Sequence, residues 1–236
     1  MLSARQANRG YFLQAYVSGR HGWQAETPSP YAVRLLRRLR RLVPGGRLLD
    51  VGCGEGRHAI AAAGLGFKVT AIDYEPLALK RARRLVRQKR ARGVVLRRAD
   101  VFRLPFRDSS FDIVLDHGCL HHQRKSDWPA YRSSILRVLK PEGFYVLSVF
   151  SPEFRFFRGS RRSWHITHGA YRRCFTRAGI AGLLGRDFDL LKLTPERGKG
   201  RGFWHVLARR TGGLPASHTW TARGAAAAAR REESRG

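Results

Sequence analysis

The sequence predicts an α/β fold, a mostly parallel sheet with helices on both faces. Two observations predict it. From residue 47 onward short apolar runs alternate with amphipathic segments, strand then helix, at the rhythm of a parallel sheet with covering helices. At the first strand-to-helix junction stand Gly52, Gly54 and Gly56, directly behind Asp50. A sheet of this kind places its ligand site at the carboxyl ends of its strands, so the glycine junction also predicts where the site lies.

Residues 1–45 precede the sheet and are expected to form a helical and aromatic cap. An aromatic-rich start, "YFLQAY" and "HGWQ", leads into "PSPYAVRLLRRLRRL". There Tyr31, Leu35, Leu36 and Leu39 recur at helical spacing, with Arg34, Arg37, Arg38 and Arg41 outside the stripe. The pattern predicts a surface helix with a solvated basic face, ending at Pro44 and Gly45. "RLLDVG" reads as a short buried strand and Glu55 to Ala63 as a helix stopped by Gly64 and Gly66. "KVTAID" (68–73) is the next strand. Pro76 opens and Gly93 closes the following helix, whose apolar face is Ala78, Ala82, Leu85 and Val86. "VVLRRAD" (94–100), "FDIVLDHG" (111–118) and "FYVLSVFS" (144–151) are further strands, with a helix over "DWPAYRSSILRVLK" between the last two. Residues 151–175 are rich in aromatics and arginine and show no clear periodicity. "TRAGIAGLLG" predicts a short helix capped by Thr176. "FDLLKLT" and "FWHVLARR", joined by "PERGKGRG", predict a closing strand pair. The sheet domain is therefore placed at residues 46–210. From Thr211 the composition turns to Gly, Ala, Ser, Thr and Arg, and residues 211–236 are expected to form a disordered basic tail.

Composition bounds the function. A chain of 236 residues that is 43% hydrophobic suits one domain with extensions and buries a sizeable core. Its three cysteines, Cys53, Cys119 and Cys174, show no CxxC spacing, which argues against a disulfide framework or zinc site and fits a reducing cytosol. No stretch approaches the ~20 apolar residues of a membrane span, and the first residues lack the apolar core of a signal peptide. A cytoplasmic protein without a membrane span is expected. The charge points another way: 46 Lys and Arg against 17 Asp and Glu give +29, and polyanions are the main partners of strongly basic surfaces. The basic residues are scattered, however, and only seven are lysine. Nucleic acid is the secondary expectation.

Glycines are needed where a strand turns tightly into a helix and a ligand approaches the backbone. The amides there, with the helix dipole behind them, favour a negatively charged ligand group. The spacing is Gly-x-Gly-x-Gly, and Arg57 stands where a dinucleotide motif wants its third glycine, which disfavours NAD. Acids are scarce, yet Asp50, Asp73, Asp100 and Asp116 each fall at or near the carboxyl end of a predicted strand. Asp50 can meet a ligand ammonium at the glycine turn. Asp73 sits where a carboxylate accepts bonds from a ribose diol. Asp100, with the Val101 N–H beside it, can meet an exocyclic amine. Any one of these can instead be a cap or turn residue; together they suit a ligand carrying an amino acid, a ribose and an adenine.

The segments "LLDVGCGEGRHAI", "VTAIDYEP", "ADVFRLPFRDSSFDIVLDHGCLHH" and "VLKPEGFYVLS" resemble, in order and spacing, the motifs of class I S-adenosylmethionine-dependent methyltransferases. The flavour is that of the small-molecule group that includes the ubiquinone- and menaquinone-biosynthesis methyltransferases. The resemblance covers about residues 45–210. It implies a Rossmann-like, doubly wound sheet of about seven strands whose last strand is antiparallel. It also implies S-adenosyl-L-methionine as cofactor and in-line transfer of its methyl group to a small-molecule acceptor. Carried over residue by residue, Asp50, Gly52, Gly54 and Gly56 line the amino-acid end of the cofactor. Asp73 holds the ribose hydroxyls and Tyr74 flanks the adenine, whose edge is read by Asp100 and Val101. Asp116, His117 and Gly118 lie nearest the sulfonium and the acceptor.

The methyl group of such a cofactor is already activated, so the protein mainly has to align a nucleophile and exclude water. Orientation of this kind is worth about 7–11 kcal/mol of barrier. A general base is needed only for a poorly ionised acceptor. The candidates cluster in "DHGCLHHQ": His117, His121 and His122, each of which can equally be a loop residue with satisfied hydrogen bonds. His117 and His121 have the i, i+4 spacing of a metal pair, but Gly118 between them and the lack of a third ligand predict no metal. Aromatics outside the sheet, Tyr11, Tyr16, His21 and Trp23 before it and Phe154, Phe156, Phe157, Trp164, His165, His168 and Tyr171 after its fifth strand, can fold over the strand ends as a lid. The alternative reading is an RNA or protein methyltransferase using the basic surface, with "KRARRLVRQKRARG" as its patch. That segment lies on a helix expected to pack on the sheet. "DHGC" stands where amine-methylating enzymes carry an Asn-Pro-Pro-Tyr-type loop.

Overall fold

The structure, a computed structural model, describes residues 4–19, 21, 23, 27–196 and 202–212, with side chains from Asn8 onward. The expected tail beyond residue 212 and the middle of "PERGKGRG" lie outside the described residues. Two helices, α1 (Ala4–Ser18) and α2 (Pro30–Leu42), precede the sheet. Then follow β1 (Arg47–Val51), α3 (Arg57–Gly64), β2 (Lys68–Asp73), α4 (Pro76–Gln88), β3 (Val94–Arg98), β4 (Phe111–His117), α5 (Trp128–Val138) and β5 (Leu139–Phe150). The chain ends with β6 (Trp164–Thr167), β7 (Ala170–Arg173), α6 (Arg177–Leu184), β8 (Phe188–Pro195) and β9 (Phe203–Arg210).

Seven strands form one sheet in the order β3-β2-β1-β4-β5-β9-β8, while β6 and β7 pair with each other alone. The pairs from β3 across to β5 are parallel, and β9 runs antiparallel to both its neighbours, β5 and β8. The chain winds outward from β1 to β3 and then returns to the other side of β1 to place β4. That reversal opens a crevice between the carboxyl ends of β1 and β4. The last strand is thus antiparallel, as the resemblance implies, and lies inside the sheet between β5 and β8.

Both sheet faces are buried, so strand residues on both sides are apolar. One face carries Leu48, Val69, Ala71, Ile113, Leu115 and Val146, covered by Leu36 and Leu39 of α2, Ala59 and Ala62 of α3 and Leu79 of α4. The other carries Leu49, Val51, Val114, Leu147, Val149 and Val206, covered by Tyr131, Ile135 and Val138 of α5 and Ile180 and Leu184 of α6. The solvated basic face of α2 is as expected, with Arg34, Arg37, Arg38 and Arg41 exposed. Thr176 caps α6 by accepting the Gly179 N–H at 3.0 Å. Among the described residues no helix is long and apolar enough to cross a membrane.

Four expectations need correction. The helix placed from Glu55 starts at Arg57, because Gly56 is its N-cap with a left-handed φ of 81°. The helix carried to Gly93 ends at Gln88, and Arg90 beyond it turns to a φ of 49°. The strand placed at 144 begins at Leu139 and runs through Pro141, with a register shift opposite Phe111 and Ile113 of β4. Residues 151–175, read as aperiodic, contain the β6–β7 hairpin, whose arginines mask the alternation.

Asp116 ties three of these elements together. Fully buried in β4, it accepts hydrogen bonds from the hydroxyls of Tyr131 in α5 at 2.7 Å and Tyr145 in β5 at 3.1 Å. The N–H groups of Cys119 and Leu120 complete its shell at 2.8 and 3.4 Å and fix the turn after β4. Asp116→Ala is expected to lower the unfolding free energy by about 2–5 kcal/mol, because two buried hydroxyls lose their acceptor. Tyr145→Phe, which removes one donor and leaves the acceptor satisfied, should cost about 1 kcal/mol. Urea unfolding of the two variants checks the ordering.

Candidate active site

The glycine turn holds the carboxyl end of β1 open. Gly52 and Gly54 have φ of 63° and 55°, the left-handed region that favours glycine. Space is also limiting: a Cβ on Gly52 would stand 2.9 Å from the Cys119 Cβ, and one on Gly54 would stand 3.0 Å from the Tyr16 hydroxyl. At the end of β2, Asp73 spans the gap between the strands. Its carboxylate accepts the Gly54 N–H and the Glu75 N–H, each at 2.9 Å. Burial raises its pKa to about 6 against the pull of those donors. Asp50 is 2% exposed, and its Oδ2 has no hydrogen-bond partner among the described residues. Burial first, and then the neighbouring Asp116 and Asp73, push its pKa to about 8.

A cleft partly open to solvent lies over these strand ends. Gly52, Asp73, Tyr74, Asp100 and Val101 line it together, and α1 supplies a further wall from Asn8, Arg9 and Phe12. Asp100 caps a 3-10 turn, Val101–Arg103, by accepting the Phe102 N–H at 3.0 Å. Its other oxygen is ion-paired with Arg9 at 2.8 Å. The same guanidinium stands 5.4 Å from the centre of the Tyr74 ring, against which Phe12 packs edge-on. Asn8 anchors α1, donating to the His122 carbonyl at 2.6 Å and accepting the Tyr171 N–H at 2.8 Å. Tyr16 closes the wall above Gly54, its hydroxyl accepting from Trp23 Nε1 at 3.1 Å.

Asp50, Gly54, Gly56, Asp116, His117 and His121 do not line this cleft. Asp50 lies under the glycine turn, Gly56 packs on Ala82 of α4, and Asp116 is engaged as described. His117 ends β4 and faces the neighbouring strands, where the register aligns it with Ser148 of β5 and His205 of β9. Its ring lies 4.2 Å from that of His58 at the start of α3. Ser148 Oγ and His205 Nδ1 are hydrogen-bonded at 2.9 Å, and Tyr31 of α2 stacks on His205 at 4.4 Å. His121, in the turn after β4, stacks on Phe150 at 3.6 Å. His117 Nδ1, His121 Nδ1 and His205 Nε2 are buried with no hydrogen-bond partner among the described residues. Left so, each costs about 1–3 kcal/mol. Burial depresses all of these imidazoles, to about 3 at His58, to about 4 at His205, and well below the usual value at His117 and His121. They are neutral at physiological pH. His122 differs, donating Nδ1–H to the Tyr171 carbonyl at 2.8 Å.

Sequence reasoning passed over Asn8, Arg9 and Phe12, and also His58 and His205. No spacing signals the first three, whose partners lie up to 163 residues away. His205 carried a usable signal: it is a polar residue at an inward position of a buried apolar strand.

Comparison with known proteins accounts for this geometry. Residues 49–147 match the model of a methyltransferase domain. The 27-O-demethylrifamycin SV methyltransferase of Amycolatopsis mediterranei is 36% identical over 138 residues, 55% of this chain and 50% of that protein. An uncharacterized methyltransferase of Schizosaccharomyces pombe is 30% identical over 49% of this chain and 81% of its own length. In three dimensions the fold matches the crystal structure of Burkholderia thailandensis 1,6-didemethyltoxoflavin-N1-methyltransferase, solved with 1,6-didemethyltoxoflavin and S-adenosylhomocysteine. The TM-score is 0.71 at 26% identity, covering 89% of this chain and 92% of that one. The chain spans about half the length of several curated relatives it matches, the rifamycin enzyme among them. With its motifs, sheet order and glycine turn in agreement, the chain belongs to the S-adenosylmethionine-dependent methyltransferase family.

Proposed function

We propose that this protein transfers the methyl group of S-adenosylmethionine to a small-molecule acceptor. The observation that carries the reading is the pairing of the Gly52–Gly54 turn with the buried Asp73 carboxylate at the mouth of one cleft. The residues fit the cofactor. The unpartnered Oδ2 of Asp50 suits its ammonium, and both oxygens of Asp73 keep a lone pair for the ribose hydroxyls. Tyr74 and Val101 flank the adenine, and Asp100 takes its amino group by exchanging the contact now made by Arg9. When bound, S-adenosylmethionine supplies a methyl carbon on a sulfonium, and in-line attack by an acceptor lone pair leaves the carbon–sulfur electron pair on sulfur.

The chain's own residues orient and desolvate. Residues 1–45 act as a cap: α1 covers the cleft and, through Asn8, binds the turn after β4 and the β6–β7 hairpin into one lid. Asp116 positions that turn. His117 and His121, neutral and weakly basic where they are buried, hydrogen-bond the acceptor and leave the displacement to an acceptor that is already nucleophilic. The small-molecule substrates named for the rifamycin and toxoflavin relatives support this reading over RNA or protein as acceptor. Three free cysteines support a cytoplasmic location.

Three measurements test the reading. Asp73→Ala should weaken S-adenosylhomocysteine binding by about 1–3 kcal/mol in calorimetry. Gly54→Val should weaken it further, since the added side chain meets Tyr16 at a backbone angle that valine resists. Normal binding by both variants would move the site elsewhere. The imidazoles are held below the ordinary value of about 6.5 and protonate only at lower pH. With an acceptor that does not itself titrate, kcat/KM should therefore show no inflection near pH 6.5; an inflection there, lost in His117→Phe, would make His117 the general base. Finally, kcat/KM should change by less than about threefold over a fourfold rise in salt, because charges beyond a Debye length of ~10 Å are screened from the cleft. A steep slope, about −0.7 per phosphate contact, flattened by joint replacement of Arg84, Arg87 and Arg90 with glutamine, would establish a polyanionic substrate.

A further inference from the structure

The rings that carry the three unpartnered imidazole nitrogens stand around one side chain. Phe203, at the start of β9, has its ring centre 5.7 Å from that of His117, 5.8 Å from His121 and 6.2 Å from His205. A native interior rarely leaves three polar nitrogens unsatisfied around one point, and such a cluster calls for an absent partner. Phe203, an apolar ring, cannot hydrogen-bond any of them. It is half-buried, as is His117, whereas His121 and His205 are 3% and 2% exposed, so the ring lies on the solvent side of those two histidines.

The geometry also limits the shape and charge of the partner. Phe203 lies within 10° of parallel to His117 and 15° of His205, and Tyr31 lies within 5° of His205. Side chains arranged in parallel enclose a slot rather than a sphere. Phe150 and Phe154 continue the aromatic wall, with centroids 5.0 and 5.6 Å from Phe203. Gly202 packs directly behind the slot, since even a Cβ there would collide with the Phe154 backbone. Opening therefore comes from rotation of the Phe203 side chain, with the strand staying in place. Arg57 acts electrostatically on both His58 and His117, so a cation is repelled here. The slot is also correctly placed for transfer: Val51 of β1 is in register with Asp116, which sets His117 level with Gly52 at the glycine turn.

We propose that the space held by Phe203 is the acceptor subsite, and that it takes a flat, non-cationic heteroaromatic ligand whose edge offers at least two hydrogen-bonding groups to His117, His121 and His205. The assignment rests on the methyl-transfer reading and adds the chemical class of the acceptor to it.

The test uses the full-length chain saturated with S-adenosylhomocysteine and three probes of similar size: lumazine, which has a polar edge, naphthalene, which has none, and the cation 1-methylquinolinium. Lumazine should bind at least about tenfold tighter than the other two, the loss expected for one missing hydrogen bond. It should also shift the ring nitrogen NMR signals of at least two of the three histidines. His117→Phe and His205→Phe preserve a ring and remove its nitrogens. Each should weaken lumazine by about tenfold while S-adenosylhomocysteine affinity stays within about twofold, because neither residue lines the cofactor cleft. Equal binding of naphthalene, absence of lumazine binding, or unmoved histidine signals would overturn the subsite; in the last case buried water satisfies the nitrogens. If a variant does not fold, the nitrogen signals of the unsubstituted protein decide. Failure of S-adenosylhomocysteine to bind the unsubstituted protein would instead sink the methyl-transfer reading itself.

Discussion

The site depends on the two hydrogen bonds that bring the Gly54 and Glu75 amides to the Asp73 carboxylate. They fasten the loop after β1 to the loop after β2, strands that lie side by side in the sheet. Two backbone bonds support the same turn, Cys53 N–H to the Ile72 carbonyl and Gly56 N–H to the Cys53 carbonyl, each at 2.9 Å. The Asp73 carboxylate is also the group that faces the cleft. Burial raises the pKa of Asp73 in spite of two good donors.

The carboxyl end of β4 is divided between two tasks by the alternation of strand side chains. Asp116 points to the face covered by α5 and is consumed in holding Tyr131, Tyr145 and the following turn. His117, the next residue, points to the opposite face and meets His58 and the row formed with Ser148 and His205. One face is saturated with hydrogen bonds and rigid. The other holds nitrogens without partners. The contrast separates a support from a surface able to receive a ligand.

The alternating strands and helices were legible because each strand is a short apolar run closed by an acid or a glycine, and these features are local. The positions of Asp73, Asp100 and Val101 on one cleft followed from the strand ends alone. Which way Asp116 faced did not, since a one-residue step in a strand exchanges its two faces. The contribution of α1 was hidden for a different reason. Asn8, Arg9 and Phe12 act through contacts with Tyr171, Asp100 and Tyr74, and nothing in their own neighbourhood signals those distant partners. The β6–β7 hairpin escaped because Arg172 and Arg173 interrupt its alternation. Arg172 is nonetheless buried, stacked on Tyr11 and Phe156 with its donors satisfied by the Thr167 and Ala170 carbonyls and the Tyr11 hydroxyl.

The anchoring of α1 through Asn8, Arg9 and Tyr11 sets the smallest portable unit of this protein. A fragment beginning at α2 would keep the sheet order, the glycine turn and both cores, and would lack the wall that α1 gives the cleft. Transplanting residues 4–18 onto a related sheet would carry over the guanidinium beside Asp100 and the ring beside Tyr74, provided the host has a backbone N–H and a carbonyl placed to receive Asn8. Exchanging this helix would therefore change one wall of the cleft while leaving every strand of the sheet in place.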